Sequence, residues 1–149
     1  MCKILIMGLP GSGKTSLSKE LAYHFELPHY NADVMREAYS DWDFSLEGRE
    51  RQAQRMASKE YGILDFVCPI ESSRRSVAPD YLIYMDTIDL SRYEDTNKLF
   101  EPPTSGMRIT TWIPENQLRN SLEGFSPGIK GIQSYLSGPF QRLVKSLSC

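Results

Sequence analysis

The first part of the chain alternates an apolar run, a glycine-rich break and a helical pattern. Residues Lys3 to Met7 are rich in isoleucine and leucine, which is typical of a strand buried on both faces of a parallel sheet. After the break, Lys14 to Glu26 has helical periodicity. Its apolar face carries Leu17, Leu21 and Phe25, four residues apart. Strand, loop and helix in this order predict the opening of a βαβ unit.

Later apolar runs continue the alternation. We predict further strands at His29–Asn31, Ile63–Cys68, Tyr81–Met85 and Arg108–Ile113. We predict helices at Leu46–Tyr61 and Glu115–Leu122. Residues Asp89 to Gly106 are polar and contain prolines, which favours a mobile loop or lid over a regular element. The order of elements predicts an α/β fold.

The glycine-rich break fits the phosphate-loop pattern G-x-x-x-x-G-K-[ST]. Its glycines let successive backbone N–H groups point at phosphate oxygens, and the following helix presents its positive N-terminus. We expect Lys14 to reach the β- and γ-phosphates of ATP as a catalytic residue, and the Thr15 hydroxyl to bind Mg²⁺. The residues expected around the phosphates are Gly8, Leu9, Pro10, Gly11, Ser12, Gly13, Lys14, Thr15 and Ser16.

These features together predict a three-layer sandwich of the P-loop NTPase type, in which helices flank a mainly parallel central sheet. With 149 residues the chain has room for one such core. We place the main domain at residues 1–124 with a lid at about 89–106, and a tail at 125–149. The tail is poor in charge, and we expect a terminal helix in it to pack on the same domain. Its apolar residues are Leu136, Phe140, Leu143, Val144 and Leu147.

Charge, apolar run length and cysteine content limit the kinds of partner and the compartment that we expect. A net charge of −2 and a pI near 5.7 disfavour long nucleic acid as a partner. The apolar runs are too short to span a bilayer, so we expect no membrane association. Cys2, Cys68 and Cys149 are odd in number and far apart, which predicts neither a disulfide framework nor a metal cluster. We therefore expect a cytoplasmic protein.

Size and motif favour a kinase among the phosphate-loop classes. The chain is too small for the extra elements of a motor, and Asn97-Lys98-Leu99-Phe100 lacks the Asp of a guanine-reading segment. A kinase of this kind has its acceptor site at the second strand–helix junction. Asp33 lies just beyond the second predicted strand, at the sheet edge where open α/β folds bind ligands. Its carboxylate is suited to take the acceptor hydroxyl's proton or to orient that hydroxyl.

The same junction resembles the adenylylsulfate kinases, in which Asp-Gly-Asp-x-x-Arg is followed by Gly-Phe-Ser-x-Glu-Asp-Arg-x-x-Asn. Asp33, Arg36, Phe44 and Arg49 match that pattern. The sequence departs from it at Asn31, Gly48 and Gln52, which stand for Asp, Asp and Asn. More faintly, Phe66-Val67-Cys68-Pro69 is similar to the family's Phe-Ile-Ser-Pro. Residues Tyr93 to Phe100 are similar to its Arg-Asp-x-Lys-Gly-Leu-Tyr lid.

The resemblance implies transfer of the γ-phosphate of ATP to the ribose 3′-hydroxyl of adenosine 5′-phosphosulfate, a nucleotide-like acceptor. It also implies a homodimer, since related kinases are often dimers. Beside the catalytic Asp33 and Lys14, the substrate-binding residues it implies are Asp33, Arg36, Phe44, Arg49, Gln52, Val67, Cys68, Pro69, Lys98 and Leu99. Arg36 and Arg49 supply forked donors for sulfate or phosphate, and Phe44 a ring for stacking.

Several alternatives stay open from the residues alone. A related kinase could act on another nucleotide, a sugar or a polynucleotide hydroxyl, and an inactive nucleotide-binding module would keep the phosphate loop without turnover. Asp65 is either a metal-ligating Asp or a structural one. His24 and His29 lack ligand-like spacing and are expected to be surface or core residues, and Cys68 a small buried one. Arg92 and Lys98 are candidates to close over the transferring phosphate.

Overall fold

The computed structural model describes residues 2–110 and residues 144, 145, 147 and 149. The strands are β1 (Lys3–Met7), β2 (His29–Asn31), β3 (Gly62–Asp65), β4 (Tyr81–Met85) and β5 (Met107–Ile109). The helices are α1 (Lys14–Phe25), α2 (Ala32–Tyr39), α3 (Leu46–Ala57), α4 (Glu71–Val77) and α5 (Glu94–Leu99).

The five strands form one parallel sheet in the order β2-β3-β1-β4-β5. β1 is central, with Ile6 paired to Asp65 of β3 on one side and to Ile83 of β4 on the other. The chain leaves β1 through α1 and passes over β3 to reach β2. Parallel strands connected in this way open a crevice at their carboxyl ends, next to the point where the connections diverge.

The core has two layers because side chains of β1 alternate between the faces of the sheet. Ile4 and Ile6 are fully buried against the face covered by α1. Leu5 and Met7 are fully buried on the other face, with side chains of α3 and α4. The α/β sandwich with a parallel central sheet is therefore confirmed, and β1 is buried on both faces as predicted.

The predicted strands at His29–Asn31 and Tyr81–Met85 are confirmed with those bounds. The third strand is shorter than predicted and ends at Asp65, because the chain turns at Cys68, whose φ is +46°. The fifth begins one residue early and ends at Ile109. The predicted helix at Glu115–Leu122 lies outside the described residues.

The helices α2 to α5 differ from the prediction. The helix from Leu46 ends at Ala57 instead of Tyr61. Within the predicted loop at 89–106, residues 94–99 form α5, so the expectation of no regular element there is wrong. The Asn97 side chain anchors the segment just before α5, because its Oδ1 accepts from Ser91 N at 2.9 Å. α2 and α4 were not predicted, since segments of eight and seven residues carry too little periodicity.

The two ends of the chain are joined by a disulfide between Cys2 and Cys149, whose Cα atoms lie 5.4 Å apart. The expectation that the cysteines form no disulfide is therefore wrong for this pair. Leu147 is buried in the core beside Cys2, which brings the end of the chain to the start of β1. Cys68 is free and fully buried, as predicted, and burial raises the pKa of its thiol to about 12. No helix in the described part of the chain has the length and apolar character to cross a membrane.

Replacing Cys149 with Ser should lower the free energy of unfolding by about 2–4 kcal/mol, because the disulfide closes nearly the whole chain and restricts the unfolded state. Thermal unfolding of the oxidised proteins measures the difference. A reducing agent should lower the melting temperature of the wild type to that of the variant and leave the variant unchanged. Equal melting temperatures for both proteins without reductant would contradict the prediction.

Candidate active site

The phosphate loop turns tightly between β1 and α1. A Cβ on Gly8 would lie 2.7 Å from the carbonyl oxygen of Met85, so only glycine lets the loop start against β4. Gly13 has a φ of +98° and is the N-cap residue of α1. As a glycine, it offers no side chain to the free N–H groups of the first turn, and that turn contains no acidic residue. These N–H groups and the positive end of the helix suit a phosphate.

Lys14 is folded under this loop. Its Nζ donates to the carbonyl oxygen of Leu9 at 3.0 Å, and the side chain is buried. Burial lowers the pKa of Lys14 from 10.5 to about 8, and the nearby carboxylates of Asp65 and Asp33 oppose that change. A buried ammonium held by one neutral carbonyl gains strongly from an anion, which makes Lys14 a ready phosphate ligand.

Asp65 ends β3 beside the phosphate loop and is 1% exposed. Its Oδ2 accepts hydrogen bonds from His29 Nε2 and Asn31 Nδ2, each at 3.0 Å. Burial opposes ionisation of Asp65, but hydrogen bonds from His29, Asn31 and Thr15 outweigh it and lower the pKa. Asn31 Nδ2 also lies 3.4 Å from Thr15 Oγ1. The Thr15 hydroxyl and the ionised carboxylate of Asp65 therefore lie side by side.

This pair of oxygen donors fits Mg²⁺ that arrives with a nucleotide. Mg²⁺ in phosphate-transfer sites is held by one or two protein oxygens, with phosphate oxygens and waters filling the other positions. Thr15 and Asp65 supply a hydroxyl and a carboxylate of this kind. Across residues 2–110 and the described positions near the C-terminus, no group of three or more His, Cys, Asp or Glu could hold a metal alone.

A cleft of about 930 Å³ opens above these residues. Its lining includes Lys14, Thr15, Asp33 and Asp65. The remaining wall residues, largely apolar and aromatic, are Pro10, Gly11, Asn31, Ala32, Trp42, Phe44, Arg49, Phe66, Val67, Ile88, Leu90, Ser91, Arg92, Tyr93, Asp95 and Thr96. The cleft is large enough for a nucleotide-sized ligand, and it joins the phosphate loop to the α2 junction.

Of the residues predicted to bind the acceptor, four line this cleft: Asp33, Phe44, Arg49 and Val67. Asp33 is exposed in the first turn of α2, where its backbone N–H bonds Asn31 Oδ1 at 2.9 Å. Asn31 thus caps α2 and aims its first turn at the cleft. Six others do not line it: Arg36, Gln52, Cys68, Pro69, Lys98 and Leu99.

Arg36 lies behind Phe44 instead of facing the cleft. It is 4% exposed, and its Nη1 donates to the carbonyl oxygens of Asp41 and Asp43, both at 3.1 Å. Its guanidinium lies 4.3 Å from the centre of the Phe44 ring. Arg36 therefore fixes the loop that carries Phe44, and its guanidinium makes a cation–π contact with the Phe44 ring.

Arg49 connects α3 to the predicted lid. Its Nε donates to the Phe44 carbonyl at 2.9 Å, and its Nη2 to Thr96 Oγ1 at 3.1 Å and to Asp95 Oδ2 at 3.3 Å. One side chain thereby links both walls of the cleft. An anion in the cleft would compete with Asp95, which is exposed, for the same guanidinium.

The other predicted residues have structural partners. Gln52 Nε2 donates to the Ala32 carbonyl at 2.9 Å and so positions α2 on α3. Cys68 is buried at the turn after β3, where its carbonyl accepts from Arg74 Nη1 at 3.0 Å. The Pro69 carbonyl accepts from Glu101 N at 2.7 Å. Lys98 is exposed on α5 and pairs with Glu94 at 3.4 Å.

Sequence reasoning missed the aromatic walls and the contact to His29. Trp42 and Tyr93 are exposed at the cleft, although each stands in a loop segment without periodicity. Two aromatic residues two apart, Trp42 and Phe44, were a usable signal, because exposed rings in a loop often mark a binding surface. His29 was expected to be a surface or core residue without a specific role, yet its Nε2 contacts Asp65 Oδ2. Only the pairing of β2 with β3 reveals this contact.

A parallel sheet of this strand order, with a phosphate loop after its central strand, is the P-loop fold in the form found in small kinases. Residues 7–63 match a family model described as an AAA domain. The match runs from the end of β1 through the phosphate loop and the β2–α2 junction into β3. No curated protein matches the sequence.

Solved structures of small kinases share the fold over nearly the whole chain. The APS kinase of Mycobacterium tuberculosis, in complex with AMPPNP and APS, has a TM-score of 0.63 at 14% identity, covering 99% of this chain and 98% of that one. A gluconokinase from Sinorhizobium meliloti has 0.59 at 14%, covering 97% and 94%. The shikimate kinase of Aquifex aeolicus has 0.60 at 12%, covering 91% and 96%. At these identities the likeness defines the fold.

Replacing Lys14 with Met should stabilise the empty protein at pH 7 by about 1 kcal/mol or more, because it removes a desolvated charge. The folded pKa lies below the unfolded one, so this cost is full below pH 8 and is relieved as the pH rises toward 10.5. Thermal unfolding as a function of pH measures it. The gain should therefore shrink between pH 8 and 10.5, and Mg·ATP should no longer raise the melting temperature of the variant.

The matched control is Lys19→Met, on the exposed face of the same helix. It should change neither the stability nor the response to Mg·ATP. A Lys14→Met protein that is less stable than wild type at pH 7 would contradict the assignment of Lys14 as a desolvated phosphate ligand.

Proposed function

We propose that this protein is a kinase that transfers the γ-phosphate of ATP to a hydroxyl of a small molecule, with the 3′-hydroxyl of adenosine 5′-phosphosulfate as its acceptor. The observation that carries the proposal is that Lys14, Thr15 and Asp33 line one cleft. A phosphate loop and an acceptor-side carboxylate in the same cleft are what phosphoryl transfer between two bound substrates requires.

The nucleotide half of the site acts by position and charge. The N–H groups at the start of α1 receive phosphate oxygens, and Lys14 exchanges the Leu9 carbonyl for the β- and γ-phosphates. Thr15 and Asp65 would hold Mg²⁺, whose charge, when bound, offsets the charge that develops on the phosphate oxygens. The buried Asp65 keeps its orientation through the hydrogen bonds from β2.

The acceptor half supplies the base. The exposed carboxylate of Asp33 takes the proton of the acceptor hydroxyl, and the hydroxyl oxygen forms its bond to the γ-phosphorus. The bond between that phosphorus and the β–γ bridging oxygen breaks, and ADP leaves with the bridging electrons. Charge, atoms and protons balance without an enzyme-bound intermediate.

The wall made by the 41–45 loop supports a nucleotide-like acceptor. Phe44 is 47% exposed, and the guanidinium groups of Arg36 and Arg49 lie 4.3 and 5.5 Å from the centre of its ring. A ring fixed in this way offers its free surface to a base. Arg49 and the exposed Arg92 are the guanidinium groups on the cleft that suit a sulfate or phosphate.

One observation favours a second acceptor class within the same activity. Arg36, which the resemblance assigns to the acceptor, is directed to the carbonyls of Asp41 and Asp43. With Arg36 engaged, fewer cations remain for a phosphosulfate. A neutral sugar or another polyol hydroxyl is therefore the second candidate.

The test is ADP release from Mg·ATP, first with adenosine 5′-phosphosulfate and then with nucleotides, sugars and oligonucleotide ends. Saturable turnover with the sulfonucleotide, abolished in Lys14→Ala, supports the full proposal. Turnover with another acceptor alone would keep the kinase and overturn the acceptor. Tight ATP binding without turnover on any acceptor would identify a nucleotide-binding module instead.

Asp33→Asn should reduce the turnover rate by about 100-fold or more, since an amide cannot accept the acceptor's proton. The dissociation constant for Mg·ATP should change less than about twofold, because Asp33 lies on the acceptor side. Steady-state kinetics and calorimetry measure the two quantities. Glu37→Gln, one turn along the same helix and outside the cleft, should leave both unchanged. An equal loss in the two variants would point to a defect of α2 as a whole.

Phe44→Ala should raise KM for a nucleotide acceptor by about tenfold through the loss of stacking, with KM for ATP unchanged. Phe44→Tyr should retain most of the affinity because it keeps the ring. Leu46→Ala removes a nearby exposed apolar side chain that does not line the cleft and should change neither KM. An unchanged KM for the acceptor in Phe44→Ala would contradict stacking on the ring and would leave Phe44 with the structural role of covering Arg36.

A further inference from the structure

β2 holds the carboxylate of Asp65 with two side chains. Residues two apart on a strand face the same side, so His29 and Asn31 project together from β2. The parallel register pairs Asn31 with Asp65 and His29 with Ile63, which places both side chains within reach of Asp65 on the next strand. Both then donate to the same oxygen, Oδ2, at 3.0 Å.

His29 makes a directed polar contact with Asp65, which a residue that only fills space would not make. Its side chain is 19% exposed, and its Nε2 contacts Asp65, whose side chain is 1% exposed. An ionised carboxylate is acceptor-only, so the Nε2 of the ring carries the hydrogen. A buried carboxylate that loses a donor is left with an uncompensated acceptor and turns toward other donors.

Asn31 alone cannot replace this contact. Its Oδ1 accepts from the backbone N–H groups of Asp33 and Val34, at 2.9 and 3.1 Å. Its Nδ2 is shared between Asp65 and the Thr15 hydroxyl. Asn31 is thus fixed by α2, whereas the His29 contact is directed to Asp65 Oδ2 alone among the hydrogen bonds of this cluster.

We propose that His29 is a positioning residue for Mg·ATP. By donating Nε2–H to Oδ2, it fixes the rotation of the Asp65 carboxylate next to Thr15, so that the two oxygen donors for Mg²⁺ are oriented before the nucleotide arrives. Outer partners of this kind orient metal-ligating carboxylates in proteins. The inference rests on the nucleotide half of the proposed function and is independent of which acceptor is phosphorylated.

The experiment compares the ATP dissociation constant in Mg²⁺ with that in EDTA, by calorimetry on the full chain. The dissociation constant in EDTA divided by that in Mg²⁺ isolates the contribution of Mg²⁺. In His29→Asn the amide is too short to reach Asp65, whereas the amide nitrogen of His29→Gln stands at the place of Nε2. His24→Asn, at the end of α1, is the control for loss of an imidazole.

We expect His29→Asn to lower the ratio by about tenfold while the constant in EDTA stays unchanged. His29→Gln should restore most of the ratio, and His24→Asn should keep all of it. In an Asp65→Asn background, which has already lost the carboxylate, His29→Asn should cause no further fall. This last result separates action through Asp65 from a general effect on β2.

Three outcomes in the variants would overturn the inference. They are an unchanged ratio in His29→Asn, a fall in EDTA affinity as large as that in Mg²⁺, and a further tenfold fall in the Asp65→Asn background. Each is read from ATP binding alone, so a protein that binds Mg·ATP as described but phosphorylates no acceptor overturns the kinase proposal and leaves this one standing. A wild type whose ATP affinity does not respond to Mg²⁺ overturns both.

Discussion

The parallel pairing of β1 with β3 on one side and with β4 on the other is the constraint on which the site depends. It brings the phosphate loop, Asp65 and the end of β4 to one edge of the sheet. The loop is then held from β4 by the Thr87 hydroxyl, which donates to the Ser12 carbonyl at 2.7 Å. Because β1 is buried on both faces, neither the loop nor the end of β3 can shift without disturbing the core.

The acceptor wall depends on a second rigid element, the loop before α3. Asp41 accepts from Arg51 and Arg55, and these hydrogen bonds hold the pKa of its carboxyl well below its usual range. Gly48 lies so close to this loop that a Cβ there would clash with the carbonyl oxygen of Asp43. Its departure from the adenylylsulfate kinase pattern therefore has a steric reason here. The exposed rings of Trp42 and Phe44 are presented by a braced loop.

Sequence predicted what local pattern encodes, namely the phosphate loop, the strands and the α/β class. Asp33 was placed at the cleft because it directly follows β2, and local order suffices for that. Arg36 was assigned to the acceptor by motif alone, since its burial behind Phe44 depends on how the 41–45 loop folds back. The contact of His29 with Asp65 and the bond of Cys2 with Cys149 depend on strand order and on the path of the tail, which spacing along the chain does not contain.

The bond between the two ends also changes the topology of the molecule. With Cys2 joined to Cys149, the backbone from residue 2 to residue 149 forms a covalent ring. A protease that cuts once beside an exposed residue such as Asp89 or Leu90 opens that ring without releasing a fragment. The oxidised protein thus survives a single nick as one covalent molecule, and the two halves of the cleft stay joined through the opposite end of the sheet.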